Sequence, residues 1–206
     1  MKRILISLLI ISLGMVQLKG QEINTSVEKV YVVFKTHLDV GFTDLSSVVT
    51  QRYITEFIPK ALDVSEKLRA ENASEKYVWT TGAWLIWKYL HTASPKEVER
   101  LEAAIRRGDI VWNSVPYTVE SESMNRDLFE TCLLLSHKLD EKYGKKTIAA
   151  KMTDVPGHTR SIVAPMSRAG IRFLHIGVNP ACPIPGVPEF CRWRDTDGSE
   201  LILVYQ

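Results

Sequence analysis

The sequence predicts an α/β fold, a parallel sheet with crossover helices that forms part of a β/α barrel. Strand-like apolar runs alternate with helix-like segments from residue 29 to residue 178, joined by short connections. The helix ends carry strong stop and start signals. Polar residues capable of chemistry cluster just after the strands, where parallel sheets form their sites.

The first strand is read over residues 29–36, "KVYVVFKT", and a helix over 48–69. "YVWTT" (77–81) is a second strand and "AWLIWKYL" a short aromatic helix. "SPKE" (94–97) begins another helix: Ser94 caps it, Pro95 suits its first position and Glu97 completes a capping box. Val98, Leu101 and Ile105 then recur at helical spacing until Gly108. "IVWNSV" (110–115) is the third strand, followed by a helix over 126–143 that stops at Gly144. "TIAAKM" (147–152) is the fourth strand. "RSIVAPMSRAG" is a helix ending at Gly170, with Pro165 as a point of bending, and "RFLHIGV" (172–178) is the fifth strand. A proline-rich loop, "NPACPIPGVPEF", leads into a β-hairpin, "FCRWRDTDGSELILVY", with its turn at Asp197 and Gly198. No internal repeat interrupts this order.

About five parallel strands are visible, whereas a β/α barrel usually takes about 250 residues. The expectation is therefore an incomplete barrel over residues 25–206, with the hairpin as an insertion near its C-terminal end. The remainder of the same protein would be its missing partner.

Residues 1–20 read as a secretory signal peptide. Lys2 and Arg3 precede an apolar stretch from Ile4 to about Val16, which is too short for a membrane span. A secreted or periplasmic location follows. The formal charge is +2, and loss of residues 1–20, with Lys2, Arg3 and Lys19, would leave −1. No basic stripe suggests nucleic acid and no polybasic segment suggests a membrane surface, so a neutral partner is expected. Of the three cysteines, Cys132 lies in a helical apolar pattern as a core thiol. Cys182 and Cys191 flank the proline-rich loop and either pair after export or stay as thiols.

"FKTHLDVGF" (34–42) ends the first apolar run with His37 and Asp39 two residues apart. On a strand these share a face, their Cα atoms about 6.5–7 Å apart, with Leu38 turned the other way. Asp154, in "TDVPGHTR" after the fourth strand, completes a three-donor metal set. One imidazole and two carboxylates suit Zn2+, roughly neutralise a dication and leave a coordination position open. The alternative for His37 and Asp39 is a hydrogen-bonded pair that fixes the loop. Asp154, ionised beside a metal, can also attack an anomeric carbon and form a covalent glycosyl intermediate. Its alternative role is a helix N-cap or a turn before Pro156. Other strand ends supply Phe42, Trp84 and His158 as substrate-binding candidates, with Trp84 the best placed to face a sugar. Tyr117, Glu120, Glu122, Arg160, His175 and Asn179 also fall at strand ends.

The motifs resemble those of glycoside hydrolase family 38, the class II α-mannosidases. "THLDVGF" resembles the family's H-x-D-x-G-W signature, and "MTDVPGHT" its D-P-F-G-H-S segment. "RRGDIVWNSVPYTVESES" is similar to the intervening strand and acidic loop, and the resemblance covers about residues 29–178. It implies a seven-stranded β/α barrel related to polysaccharide deacetylases. It implies zinc on His37, Asp39 and Asp154, with a further histidine supplied later in the chain, and Asp154 as the nucleophile of a retaining mechanism on a carbohydrate substrate. Two departures mark a divergent branch: Phe42 replaces the signature tryptophan, and Val155-Pro156 replaces Pro-Phe. The family's last zinc histidine and its general acid fall beyond residue 206, so residues 1–206 alone are expected to bind zinc weakly and turn over little. The competing readings are a metal-dependent polysaccharide deacetylase, for which no further H-x-x-x-H pair is present, and an inactive carbohydrate-binding remnant.

Overall fold

The computed structural model describes residues 25–30, 32–155, 157–177, 179, 181–183 and 185–206. The expected signal peptide and Pro156 lie outside the described residues. The chain divides into a short first unit ending at Val32 and a second, Val33–Gln206. The described part of the first unit has a turn at residues 25–26 and no helix or strand. The second unit carries the α/β architecture.

Two sheets form. β1 (Phe34–Lys35), β2 (Trp79–Gly82) and β3 (Ile110–Asn113) run parallel in that order. β4 (Ala149–Thr153), β5 (Phe173–Gly177) and β7 (Glu200–Tyr205) are also parallel, and β6 (Phe190–Arg194) lies antiparallel on the outer side of β7. The Ser114 amide donates to the Ala149 carbonyl at 2.9 Å, which sets the end of β3 beside the start of β4. The sheets curve enough that Lys35 on β1 reaches His175 on β5, Nζ to Nδ1 3.1 Å. Neither sheet closes on itself among the described residues.

Two expectations change here. Among the described residues of the strand expected over 29–36, only Phe34–Lys35 is regular. Phe34 is already opposite Trp79, the first residue of β2, so residues before it have no β2 partner to bond. The hairpin is not set apart as an insertion, because β7 pairs in parallel with β5 and continues the sheet.

The helices follow the sequence signals closely. The region expected as one helix over 48–69 runs as α1 (Ser46–Arg52), a π-helical stretch (Tyr53–Phe57) and α2 (Ile58–Ala70). The wider stretch precedes Pro59, which has no N–H to offer the preceding turn. The aromatic segment is α3 (Ala83–Thr92). α4 (Pro95–Arg107) has both halves of the Ser94–Glu97 capping box and stops at Gly108. α5 (Arg126–Tyr143) is capped by Asn125, whose side chain accepts from the Leu128 amide at 2.8 Å. A 3-10 turn (Arg160–Ile162) leads into α6 (Val163–Arg168). Pro165 lies in the first turn of α6, where its missing N–H costs no helical bond.

Two apolar clusters sit between sheets and helices. One joins Trp79 and Ile110 to Ile58, Leu62, Ile86 and Leu101. The other joins Met152, Leu174 and Ile176 to Phe129, Met166 and Leu203, and Tyr117 packs on both. On β4 and β5 burial alternates with the strand period of two. Ala150, Met152, Leu174 and Ile176 face the helices, which turns Lys151, Thr153 and His175 to the other, concave face.

Candidate metal centre

Beyond β1 the alternation continues into the loop. Leu38 is buried among the first apolar cluster, while His37 and Asp39 turn outward. The Tyr53 hydroxyl donates to the His37 carbonyl at 3.3 Å and holds this loop to the π-helical stretch. Asp154 follows β4 directly, and its amide donates to the Gly177 carbonyl at 2.9 Å. Its φ is +74°, a backbone region sparsely occupied by non-glycine residues, which concentrate at functional sites when they occur. Asp154 is not a helix N-cap; that position belongs to Thr159.

These loops bring three donors together. His37 Nε2 lies 3.4 Å from Asp39 Oδ1 and 3.8 Å from Asp154 Oδ2. One donor atom from each residue falls within 4.8 Å of the other two. The His37 contacts are longer than the ~2.7–3.2 Å of an N–H···O hydrogen bond. The contact to Asp39 matches the edge of a tetrahedron, about 3.3–3.6 Å, spanned by ligands about 2.0–2.2 Å from a central ion, and the contact to Asp154 is slightly longer. The side chains are 36%, 32% and 34% exposed, open enough for a fourth ligand from solvent or substrate. The imidazole and two carboxylates therefore fit a divalent cation in number, charge and spacing.

Asn179, just past β5, supports the centre. Its amide nitrogen donates to Asp154 Oδ1 at 2.7 Å, while its carbonyl oxygen accepts from the Ala181 amide at 2.8 Å. That second bond fixes which way the side-chain amide points. Oδ1 of Asp154 is thereby held and Oδ2 is left towards His37. The position of Asn179 at a strand end was visible in the sequence; its bond to Asp154 was not.

The substrate-binding candidates are more dispersed. Phe42 is 86% exposed, three residues beyond Asp39. Trp84 is half-buried, edge-on to Tyr117 with ring centroids 5.7 Å apart. His158 points into the loop packing: its Nδ1 lies 3.3 Å from Ser121 Oγ, and its Nε2 is buried without a hydrogen-bond partner among the described residues. Burial holds its imidazole below the usual histidine range. Ser121 Oγ also accepts from the Thr159 amide at 3.2 Å. Glu122 lies against Gly157, where an added Cβ would stand 3.0 Å from Oε2. The acidic loop after β3 is thus latched to the loop that carries Asp154, through Ser121, Glu122, Gly157 and His158. No sequence pattern pointed to Ser121.

Cys132, Cys182 and Cys191 are free thiols, each partly buried. Among the described residues no helix is long and apolar enough to cross a membrane.

A metal-type donor triad thus lies at the carboxyl ends of parallel strands in an α/β fold. In sequence, neither a family model nor a curated protein matches it. Solved structures match it in fold. An alpha-mannosidase from Enterococcus faecalis V583 superposes with a TM-score of 0.69 at 17% identity, over 85% of this chain and 20% of that one. A protein in glycosyl hydrolase family 38 from Enterococcus faecalis does so with a TM-score of 0.63 at 15% identity, over 84% and 18%. The 4-alpha-glucanotransferase from Thermococcus litoralis gives 0.59 at 12% identity, over 84% and 27%. At these identities the likeness is one of fold. It agrees with the family 38 resemblance of the sequence motifs, and the chain spans about a fifth of the length of the two Enterococcus proteins.

Proposed function

We propose that this chain is the N-terminal part of an exported, zinc-dependent, retaining glycoside hydrolase that acts on glycans in the manner of an α-mannosidase. The observation that carries the proposal is the triad of His37, Asp39 and Asp154, with His37 Nε2 3.4 and 3.8 Å from the two carboxylates. Its place in a fold shared with family 38 structures supports the choice of sugar chemistry. The export signal rests on residues 1–20 of the sequence alone.

His37, Asp39 and Asp154 would hold the zinc. When bound, zinc would supply positive charge to two adjacent sugar hydroxyls. Asp154 is the nucleophile: a carboxylate oxygen forms a bond to the anomeric carbon as the glycosidic C–O bond breaks. The departing oxygen takes its proton from a general acid outside residues 1–206, and water later releases the sugar from Asp154. Asn179 orients the carboxylate for this attack through Oδ1. Phe42 and Trp84 offer apolar faces to the sugar ring. His158 serves the site through Ser121, by holding the Asp154 loop to the acidic loop.

Two measurements test this. Calorimetric titration of the 206-residue chain should show one zinc site, lost in His37→Ala and Asp154→Ala. In the whole protein, an activated fluoromannoside should leave a sugar label on Asp154, read by peptide mass. Zinc uptake without labelling, together with release of acetate from an acetylated glycan, would replace the hydrolase with a deacetylase. Sugar binding with neither reaction would leave a carbohydrate-binding protein. A folded chain that takes up no zinc in any form would remove the basis of the assignment.

A further inference from the structure

We propose that Lys35, Lys151 and His175 form an oxyanion-binding site on the concave face of the sheets, suited to a carboxylate, sulfate or phosphate group carried by the substrate sugar. The sugar as the source rests on the function proposed above; the anion site itself rests only on the residues that follow.

The strand period places the three groups. Lys151 and His175 are register partners on neighbouring strands β4 and β5, both turned away from the helices. Lys35 comes from β1, at the far side of the arc, and still reaches His175, Nζ to Nδ1 3.1 Å. The other ring nitrogen, Nε2, lies 3.3 Å from Gln206 Oε1. An ammonium can only donate, so Nδ1 accepts, and Nε2–H donates to the glutamine oxygen. His175 is therefore neutral and acts as a positioning residue that holds the Lys35 ammonium over the concave face. Burial, with Lys35 and Lys151 nearby, keeps the imidazole below its ordinary range and agrees with this tautomer.

Two ammonium groups share this face, Lys35 exposed and Lys151 half-buried. Among the described residues neither Lys35 nor Lys151 makes an ion pair with a carboxylate. Lys151 is half-buried, and burial, with the charge of Lys35, brings its pKa down to about 8. An ammonium removed from water without an opposite charge is costly, and fixed like charges side by side add to that cost. An oxyanion placed between them would offset both terms. The group lies near the triad: Lys151 and His37 both line one water-sized void, ≈ 10 Å³, at the ends of β1, β2 and β3.

The test uses the folded 206-residue chain, without metal, in chloride and in inorganic sulfate at equal ionic strength. Thermal unfolding should shift upward in sulfate, and the apparent sulfate affinity should fall about tenfold or more in Lys151→Met and in Lys35→Met, the effect of losing one charge-assisted bond. In chloride, Lys151→Met should unfold at a higher temperature than the parent, because the substitution removes an unpaired desolvated charge. Equal sulfate shifts in parent and variants, or none in the parent, would overturn the anion site. So would a lowered midpoint for Lys151→Met in chloride, since it would make the lysine a packing element. Glucuronate should protect more strongly than acetate; equal protection by the two would overturn the sugar as the carrier. Because neither zinc nor turnover enters the measurement, its failure leaves the hydrolase proposal standing, and loss of the hydrolase proposal leaves the anion site standing.

Discussion

Asn179 donates to Asp154 Oδ1 at 2.7 Å across the ends of β4 and β5. The same asparagine accepts from the Ala181 amide at 2.8 Å, so it cannot turn over without breaking both bonds. One carboxylate oxygen is therefore fixed by protein and the other is directed towards His37. Partners of this kind, which orient a ligand without touching the metal, commonly govern affinity as strongly as one ligand does.

Asn179→Ala should weaken zinc binding about 10–100-fold, measured by competition with a chromophoric chelator. Asn179→Asp should also lose the bond, because two ionised carboxylates repel instead of pairing. An affinity unchanged in Asn179→Ala would show that Asp154 is oriented by its backbone alone.

Gly82 ends β2 under the loop after β3. A Cβ there would stand 2.1 Å from the Pro116 carbonyl oxygen and 3.2 Å from the Tyr117 Cα, both backbone atoms that cannot rotate aside. Gly82→Ala should destabilise the fold by about 1–3 kcal/mol or more, read from urea unfolding. A neutral result would mean that the Pro116–Tyr117 segment is free to move.

Asp109 opens β3 at the opposite end of the sheet. Its side chain is 2% exposed and accepts from Arg69 and from Arg107 Nε, the latter at 2.9 Å. Burial by itself would raise its pKa, but the two guanidinium groups more than offset this and hold it below the usual carboxylate range. The stabilisation is fully present above the unfolded value of about 3.9 and is lost as pH falls through the lower folded value. Asp109→Ala should cost about 1–3 kcal/mol at neutral pH, because it removes the charge-assisted hydrogen bonds from Arg69 and Arg107, whose own side chains stay open to water. It should also flatten the stability profile below about pH 4, measured by urea unfolding across pH.

His158 acts in a different window. Its depressed pKa means that the unfolded chain takes up a proton first, near the ordinary histidine value of about 6.5. Stability should therefore fall as pH drops below that value, and continue to fall until the folded histidine protonates. His158→Gln should flatten this part of the profile. An unchanged slope between pH 7 and 5 would assign it to His175, whose imidazole is also held down by burial.

Much of the fold was legible because its signals are local. The Ser94–Glu97 capping box needs only four residues to form, and it is present as expected. Gly108 and Gly144 end their helices for the same reason. Leu38 and its two neighbours segregate to opposite faces because a strand has a period of two. Strand length was less legible. Whether Val33 joins β1 depends on where β2 begins, more than forty residues away. The hairpin was read correctly as a hairpin, yet its integration through β7 and β5 is a long-range pairing that no local pattern encodes.

The site divides in the same way. Residue type and spacing alone singled out His37, Asp39 and Asp154 as an imidazole and two acids at strand ends, because donor chemistry is a property of the side chain. Only the tertiary structure decided that Asp154 comes within 3.8 Å of His37, that Asn179 holds it, that His158 turns to Ser121 instead of outward, and that Lys35 meets His175 across the arc. Each of those contacts joins residues more than twenty positions apart. Their distances are set by sheet curvature and by packing against the helices, which the whole chain determines together.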